Sequence, residues 1–208
     1  MPSSDLVVLD FETSGLSPAL GDRPIEIGAV LIRSGRVVDQ FQSLMNPGFK
    51  VSSFIQDYTG ISNRMLATAP PCESVMAEFA TFITGSDLVA HNASFDSKFL
   101  DAELNRLGLE RDEEFACSML TARRVIPSAP NYKLGTLVNL LGIRTSGQAH
   151  RALADAQAAS GVWLHMIAEL KRTYALRSVP FELMQLLGKI PKRNVPAFMA
   201  EQVSGRRR

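Results

Sequence analysis

Five side chains in this sequence have the types and spacing to hold divalent metal ions and move a proton. Asp10 and Glu12 stand one residue apart at the end of the apolar run Leu6-Val7-Val8-Leu9. In an extended strand, positions i and i+2 face the same way, so the two carboxylates project together. Two adjacent negative charges are costly unless something cationic lies between them. A small-residue turn, Thr13-Ser14-Gly15-Leu16, follows directly. Such a strand end reads as half of a metal site. Asp96 closes the segment His91-Asn92-Ala93-Ser94-Phe95-Asp96, at the junction of a short strand and a helix, where the positive helix end favours a carboxylate. His150 and Asp155 are the ends of His150-Arg151-Ala152-Leu153-Ala154-Asp155. Within one helix they would point about 140° apart, so His150 belongs in the preceding loop and Asp155 in the first turns. Asp155 is the lone charge among Ala154, Ala156, Ala158 and Ala159, and a buried lone acid needs a partner.

The elements that must position these groups follow from periodicity. Ile25–Ile32 and Val37–Leu44 flank the turn Ser34-Gly35-Arg36 and predict an antiparallel hairpin. With the first strand it opens a sheet. A loop with short helical turns runs through Thr59-Gly60-Ile61, and Pro70-Pro71 breaks the chain. Apolar spacing predicts helices over Glu73–Thr84, Ala93–Leu107 (with Asn92 as N-cap), Ser118–Ile126, Lys133–Leu141 and Ala152–Leu170. Short strands are predicted at Asp87–Ala90 and Phe115–Cys117. The order is βββ, then α, β, α, β, α, α: an α/β fold with a mixed five-stranded sheet, a hairpin followed by parallel strands.

Two units are expected, a main domain over 1–172 and a C-terminal extension over 173–208. In the extension, Phe181–Leu187 forms one short helix, the segment through Pro196 is broken, and Gly205 to Arg208 fray. Charge divides the same way: residues 1–170 hold 13 Lys+Arg against 19 Asp+Glu, and residues 171–208 hold 9 against 2. An acidic body is unusual in a protein that grips nucleic acid by charge alone, and less so if its acids hold cations. No apolar run approaches the length of a membrane span, and the N-terminus lacks a basic stretch before an apolar core, so a cytoplasmic location is expected. Cys72 and Cys117 lack metal-type spacing and read as free thiols.

Taken together, Asp10-x-Glu12-Thr-Ser-Gly-Leu, Asn92-x-x-Phe95-Asp96 and His150-x4-Asp155 closely resemble the three motifs of the DEDDh 3′→5′ exonucleases. The DnaQ-like group, which includes the proofreading epsilon subunit of bacterial DNA polymerase III, is the best match, over about residues 5–170. His150, where a sister group carries tyrosine, selects the DEDDh branch. The resemblance implies a ribonuclease-H-like αβα layer. It implies two Mg2+ or Mn2+ ions held by Asp10, Glu12, Asp96 and Asp155, with Asp10 bridging both. Glu12 and Asp155 would complete the nucleophile-side metal and Asp96 the other. His150 would be the general base, and the products nucleoside 5′-monophosphates.

By the same resemblance Thr13, Leu16 and Ile61 contact the terminal nucleotide, Leu16 as an apolar wedge and Ile61 in a loop closing over the base. Phe95 fits either a stacking role or the core. Glu26 reads as a plain strand residue in preference to an acid supporting the metal ligands, and Lys133 as a solvated lysine in preference to a phosphate ligand. The expected partners are 3′ ends of single-stranded or frayed DNA, with RNA ends an open alternative. An accessory subunit docking a DNA polymerase through its tail is a second alternative. A ribonuclease-H-type endonuclease is disfavoured by the His150 motif.

Overall fold

The computed structural model describes residues 5–144 and 150–205. Strands β1 (Asp5–Thr13), β2 (Pro24–Arg33), β3 (Arg36–Leu44), β4 (Ser86–Ala90) and β5 (Phe115–Cys117) form one sheet in the order β3-β2-β1-β4-β5. β1, β2 and β3 pair antiparallel, while β4 and β5 join parallel to β1. This is the mixed five-stranded α/β sheet that the hydrophobic pattern predicts.

Helices cover both faces. α1 (Ser53–Thr59) and α2 (Asn63–Ala67) lie in the long connection after β3. α3 (Cys72–Ile83) and α4 (Ala93–Arg106) pack against Val7, Leu9 and Phe11 on one face. α5 (Ser118–Val125), α6 (Leu134–Leu140), α7 (Ala152–Tyr174) and α8 (Phe181–Lys189) cover Leu6 and Val8 on the other. Burial on both sides explains why β1 is a continuous apolar run. It also places Asp10 and Glu12, two and four residues beyond Val8, on the face that carries α7.

α7 runs on to Tyr174, past residue 172. Beyond it, Leu183, Met184 and Leu187 of α8 are buried in the same core as Trp163. A further helix, α9 (Val195–Gly205), follows, most of it over residues to which the sequence pattern assigns no element. Met199 is its buried anchor. Pro196 sits in the first turn of α9, where a missing N–H costs no helical hydrogen bond, so it ends the broken segment by starting a helix. The expected fraying of Arg206–Arg208 falls outside the described residues. Cys72 and Cys117 are free thiols.

Candidate active site

β1 ends beside the first turns of α4 and α7, and the three elements bring their acids to one cleft of about 720 Å³. That size suits a small polar ligand or one end of a polymer. Asp10 keeps partial exposure at its base, and Glu12 and Asp96 are buried. The Phe11 amide donates to Asp96 Oδ1 at 3.2 Å, tying α4 to β1 between the two strand acids. Asp155 is half-buried in the first turn of α7, and its Oδ2 accepts from the His150 amide at 3.1 Å. His150 holds a left-handed backbone (φ 61°), which turns the chain sharply into α7 and presents the imidazole at the surface. Ligand atoms of Glu12, His150 and Asp155 lie within 4.8 Å of one another.

Burial, and then the charges of Asp96, Glu12 and Asp155, push the Asp10 carboxyl well above its ordinary range. Burial followed by Asp155 and Glu26 pushes Glu12 up to about 8, against the opposing pull of Arg151. Asp96 is pushed up to about 7 by burial, against the lowering effect of the Phe11 N–H. Asp155 is raised by burial, and the His150 amide opposes the rise. The cluster is therefore short of positive charge, and its donors are hard oxygens without a thiolate. Both properties fit hard divalent cations.

These shifts carry a sign. Carboxyls that titrate higher folded than unfolded contribute stability that is complete below about pH 4, and that contribution is lost as pH rises through 7 to 8. In EDTA the melting temperature is expected to fall between pH 5 and 8, and Mg2+ is expected to raise it more at pH 8 than at pH 5. Thermal melts check this; a melting temperature that climbs over that range without metal contradicts the assignment.

Glu26 departs from its plain reading. It pairs with Glu12 across the β1–β2 ladder and is 0% exposed. Arg151 grips it with Nη2 at 2.6 Å and Nε at 3.1 Å, and the Ala152 amide donates to Oε2 at 3.1 Å. Glu26 thus clamps the start of α7 to β2 and sets the depth of His150 and Asp155. Arg151 is a third exposed, which moderates the cost of breaking the pair. Glu26→Gln is expected to lose about 2 kcal/mol of stability. Turnover is expected to fall about tenfold with little change in KM, and unchanged steady-state constants would remove this role.

The remaining predicted residues divide. Leu16 is 77% exposed on the rim, its carbonyl held by Lys98 Nζ at 2.6 Å. Thr13 lines the cleft, but its hydroxyl donates to Gly15 O at 2.6 Å and shapes the turn. Phe95 lines the cleft and packs on Phe99 with ring centres 5.1 Å apart. Ile61 is a correction, because it is 0% exposed in a cluster with Ile25, Val51 and Leu66 and is not part of the cleft wall. Asn92 is a second correction. It precedes α4 in a left-handed conformation (φ 77°) and makes no side-chain capping bond.

In place of Ile61, α1 offers aromatic side chains that the sequence reading missed. Tyr58 packs its ring 4.3 Å from His150, and Phe54 stacks behind Tyr58 at 6.0 Å. Two aromatics four residues apart in a polar connection were the available signal.

The exonuclease family profile (RNase_T) matches residues 7–162. The chain is 35% identical over 203 residues to a PolC-type DNA polymerase III of Caldanaerobacter subterraneus subsp. tengcongensis, covering 95% of this chain and 14% of the polymerase. It is 34% identical over 191 residues to the 3′-5′ exonuclease DinG of Bacillus subtilis, covering 91% of this chain and 20% of DinG. The chain therefore spans a fifth or less of the length of these relatives. Exonuclease X, solved in complex with 5′ overhanging duplex DNA, superposes with a TM-score of 0.68 at 26% identity, over 88% of this chain and 99% of that one. E. coli exonuclease I, solved with a dT13 oligonucleotide, shares the fold with a TM-score of 0.72 at 20% identity, over 83% of this chain and 43% of that one.

Proposed function

The chain belongs to the exonuclease family, and from that premise we propose that it is a metal-dependent 3′→5′ exonuclease. It removes nucleoside 5′-monophosphates from single-stranded or frayed DNA ends. The observation that carries this reading is the convergence of Asp10, Glu12, Asp96, Asp155 and His150 on one cleft from β1, α4, α7 and the turn before α7. Those four carboxylates would hold two Mg2+ or Mn2+ ions. Bound there, the ions supply Lewis-acid activation of water and charge stabilisation for the departing 3′ oxygen. The exposed imidazole of His150 accepts the proton of the attacking water, with Tyr58 packed against it and Glu26 holding the turn behind it. Leu16, Phe54 and Phe95 give the terminal bases apolar faces without reading their identity, as stacking tolerates any base. Thr13 shapes the turn that carries Leu16.

Among the described residues no helix is long and apolar enough to cross a membrane. We place the enzyme in the cytoplasm, where both thiols stay reduced, working beside a DNA polymerase subunit on mispaired 3′ ends.

The test is degradation of 5′-labelled single-stranded DNA and RNA of one sequence, with Mg2+ or with EDTA, alongside a circular single strand. The expected result is a Mg2+-dependent ladder shortening from the 3′ end of the DNA, slower on RNA, with the circle intact. Cutting of the circle would make the enzyme an endonuclease, and no cleavage by folded, metal-supplied protein would overturn the reading.

A further inference from the structure

The C-terminal segment is anchored to α5 in a way that delivers a cation to the ring of Tyr132. Thr121 Oγ1 donates to the Met184 carbonyl at 3.1 Å, and Arg124 donates to the Ile190 carbonyl through Nε at 2.9 Å and Nη2 at 2.7 Å. The chain then turns at Pro191 and sets Lys192 over the ring of Tyr132, 5.2 Å from its centre. The Arg123 guanidinium lies 5.8 Å from the centre of the same ring. The backbone of Tyr132 is tied to a cleft residue: its carbonyl accepts from Nε2 of His91 at 2.8 Å, and His91 is part of the cleft wall. Lys133, the next residue, is exposed, as are Arg123, Lys192 and Arg193.

None of these four cations is paired with a carboxylate among the described residues. Like charges gathered on one exposed patch repel, and a polyanion relieves them. The cleft that His91 lines holds four acids, so an incoming phosphodiester strand meets repulsion there unless cations lie along its path.

We infer that Arg123, Lys133 and Lys192, arranged about Tyr132, form a track that grips the phosphate backbone of the nucleic-acid strand upstream of the 3′ end lying in the cleft. Lys133 thereby leaves its solvated reading. This inference rests on the proposed exonuclease reading for the identity of the strand. It gives the basic C-terminal segment a substrate-binding role, because α8 and the Arg124–Ile190 bonds fix where Lys192 sits.

The experiment uses the full chain and the triple variant Arg123→Gln, Lys133→Gln, Lys192→Gln, all surface changes whose folding is checked by thermal melting. Two substrates separate track from cleft: the p-nitrophenyl ester of thymidine 5′-monophosphate, which fills the cleft alone, and an oligothymidylate of about twenty nucleotides, long enough to leave it. Ester hydrolysis is expected to stay within about twofold. For the oligonucleotide, KM is expected to rise about tenfold with kcat little changed, and the log–log salt dependence to flatten by about 2 for three lost phosphate contacts. An unchanged oligonucleotide KM overturns the track, as does an equal loss on both substrates. If the wild-type protein cleaves neither substrate, the exonuclease reading fails by itself. Fluorescence anisotropy of the oligonucleotide in EDTA then decides the track, with weaker binding by the variant supporting it and equal binding overturning it.

Discussion

Asp10→Asn is expected to reduce exonuclease turnover by about 10³-fold or more while making the metal-free protein more stable. The first effect follows from position. Asp10 lies at the base of the cleft, and its charge interacts with Asp96, Glu12 and Asp155 together. An amide keeps the shape but gives up the charge that would bind both cations. A loss of that size corresponds to about 4 kcal/mol of barrier, within reach of removing Lewis-acid stabilisation from a phosphodiester. The second effect has the opposite sign to that of most buried substitutions. The folded chain holds this carboxyl well above its ordinary range, so at pH 8 its ionised form opposes folding. A neutral amide removes that penalty, and melts in EDTA at pH 8 should show a higher melting temperature than wild type. Mg2+ should then stabilise the variant less than the wild type. Retained activity would dismiss Asp10 as a metal ligand, and a lower melting temperature in EDTA would show that Asp10 is stabilised by contacts other than those described.

Gly28→Ala is expected to be the most damaging change outside the cleft. Gly28 lies on β2 directly opposite Asp10 in the ladder. A methyl group there would overlap the backbone nitrogen and Cα of Leu153 and the carbonyl carbon of Ala152. Those are backbone atoms in the first turn of α7 and cannot rotate away as a flexible side chain would. The helix must lift off the sheet, carrying Asp155 and the preceding His150 away from Glu12. A shift of about 1 Å can cost about 10²-fold in rate. Overpacking against backbone costs about 3 kcal/mol, equivalent to a fall of roughly 6–12 °C in melting temperature for a chain of this size. Gly135→Ala is the control. Nothing lies within 4 Å of an added Cβ there, and the site is inside α6, so it should gain roughly 0.5–1 kcal/mol and keep full activity. If Gly28→Ala matches wild type in rate and melting temperature, the close seating of α7 on β2 is not what sets the site.

Much of this molecule could be read from its residues in order. The α/β class, the strand sequence and the sites of most helices follow from periodicity, because each pattern reports which faces of an element are buried. The shared face of Asp10 and Glu12 and the loop placement of His150 follow from the strand and helix repeats alone. The division of charge between body and C-terminal segment was equally plain.

Contacts between elements distant in sequence decided the rest. Glu26 looked like an ordinary strand residue because its meaning lies in Arg151 and Ala152, more than a hundred positions away. The requirement for glycine at position 28 is invisible until α7 is seen lying across it. Ile61 and Tyr58 sit three residues apart, and only the packing of α1 shows that the first turns inward and the second faces His150. Lys192 acquires its place over the Tyr132 ring only when α8 docks on α5. Periodicity records whether a side chain is buried. It carries no information about which distant surface does the burying, and the site is assembled from those surfaces.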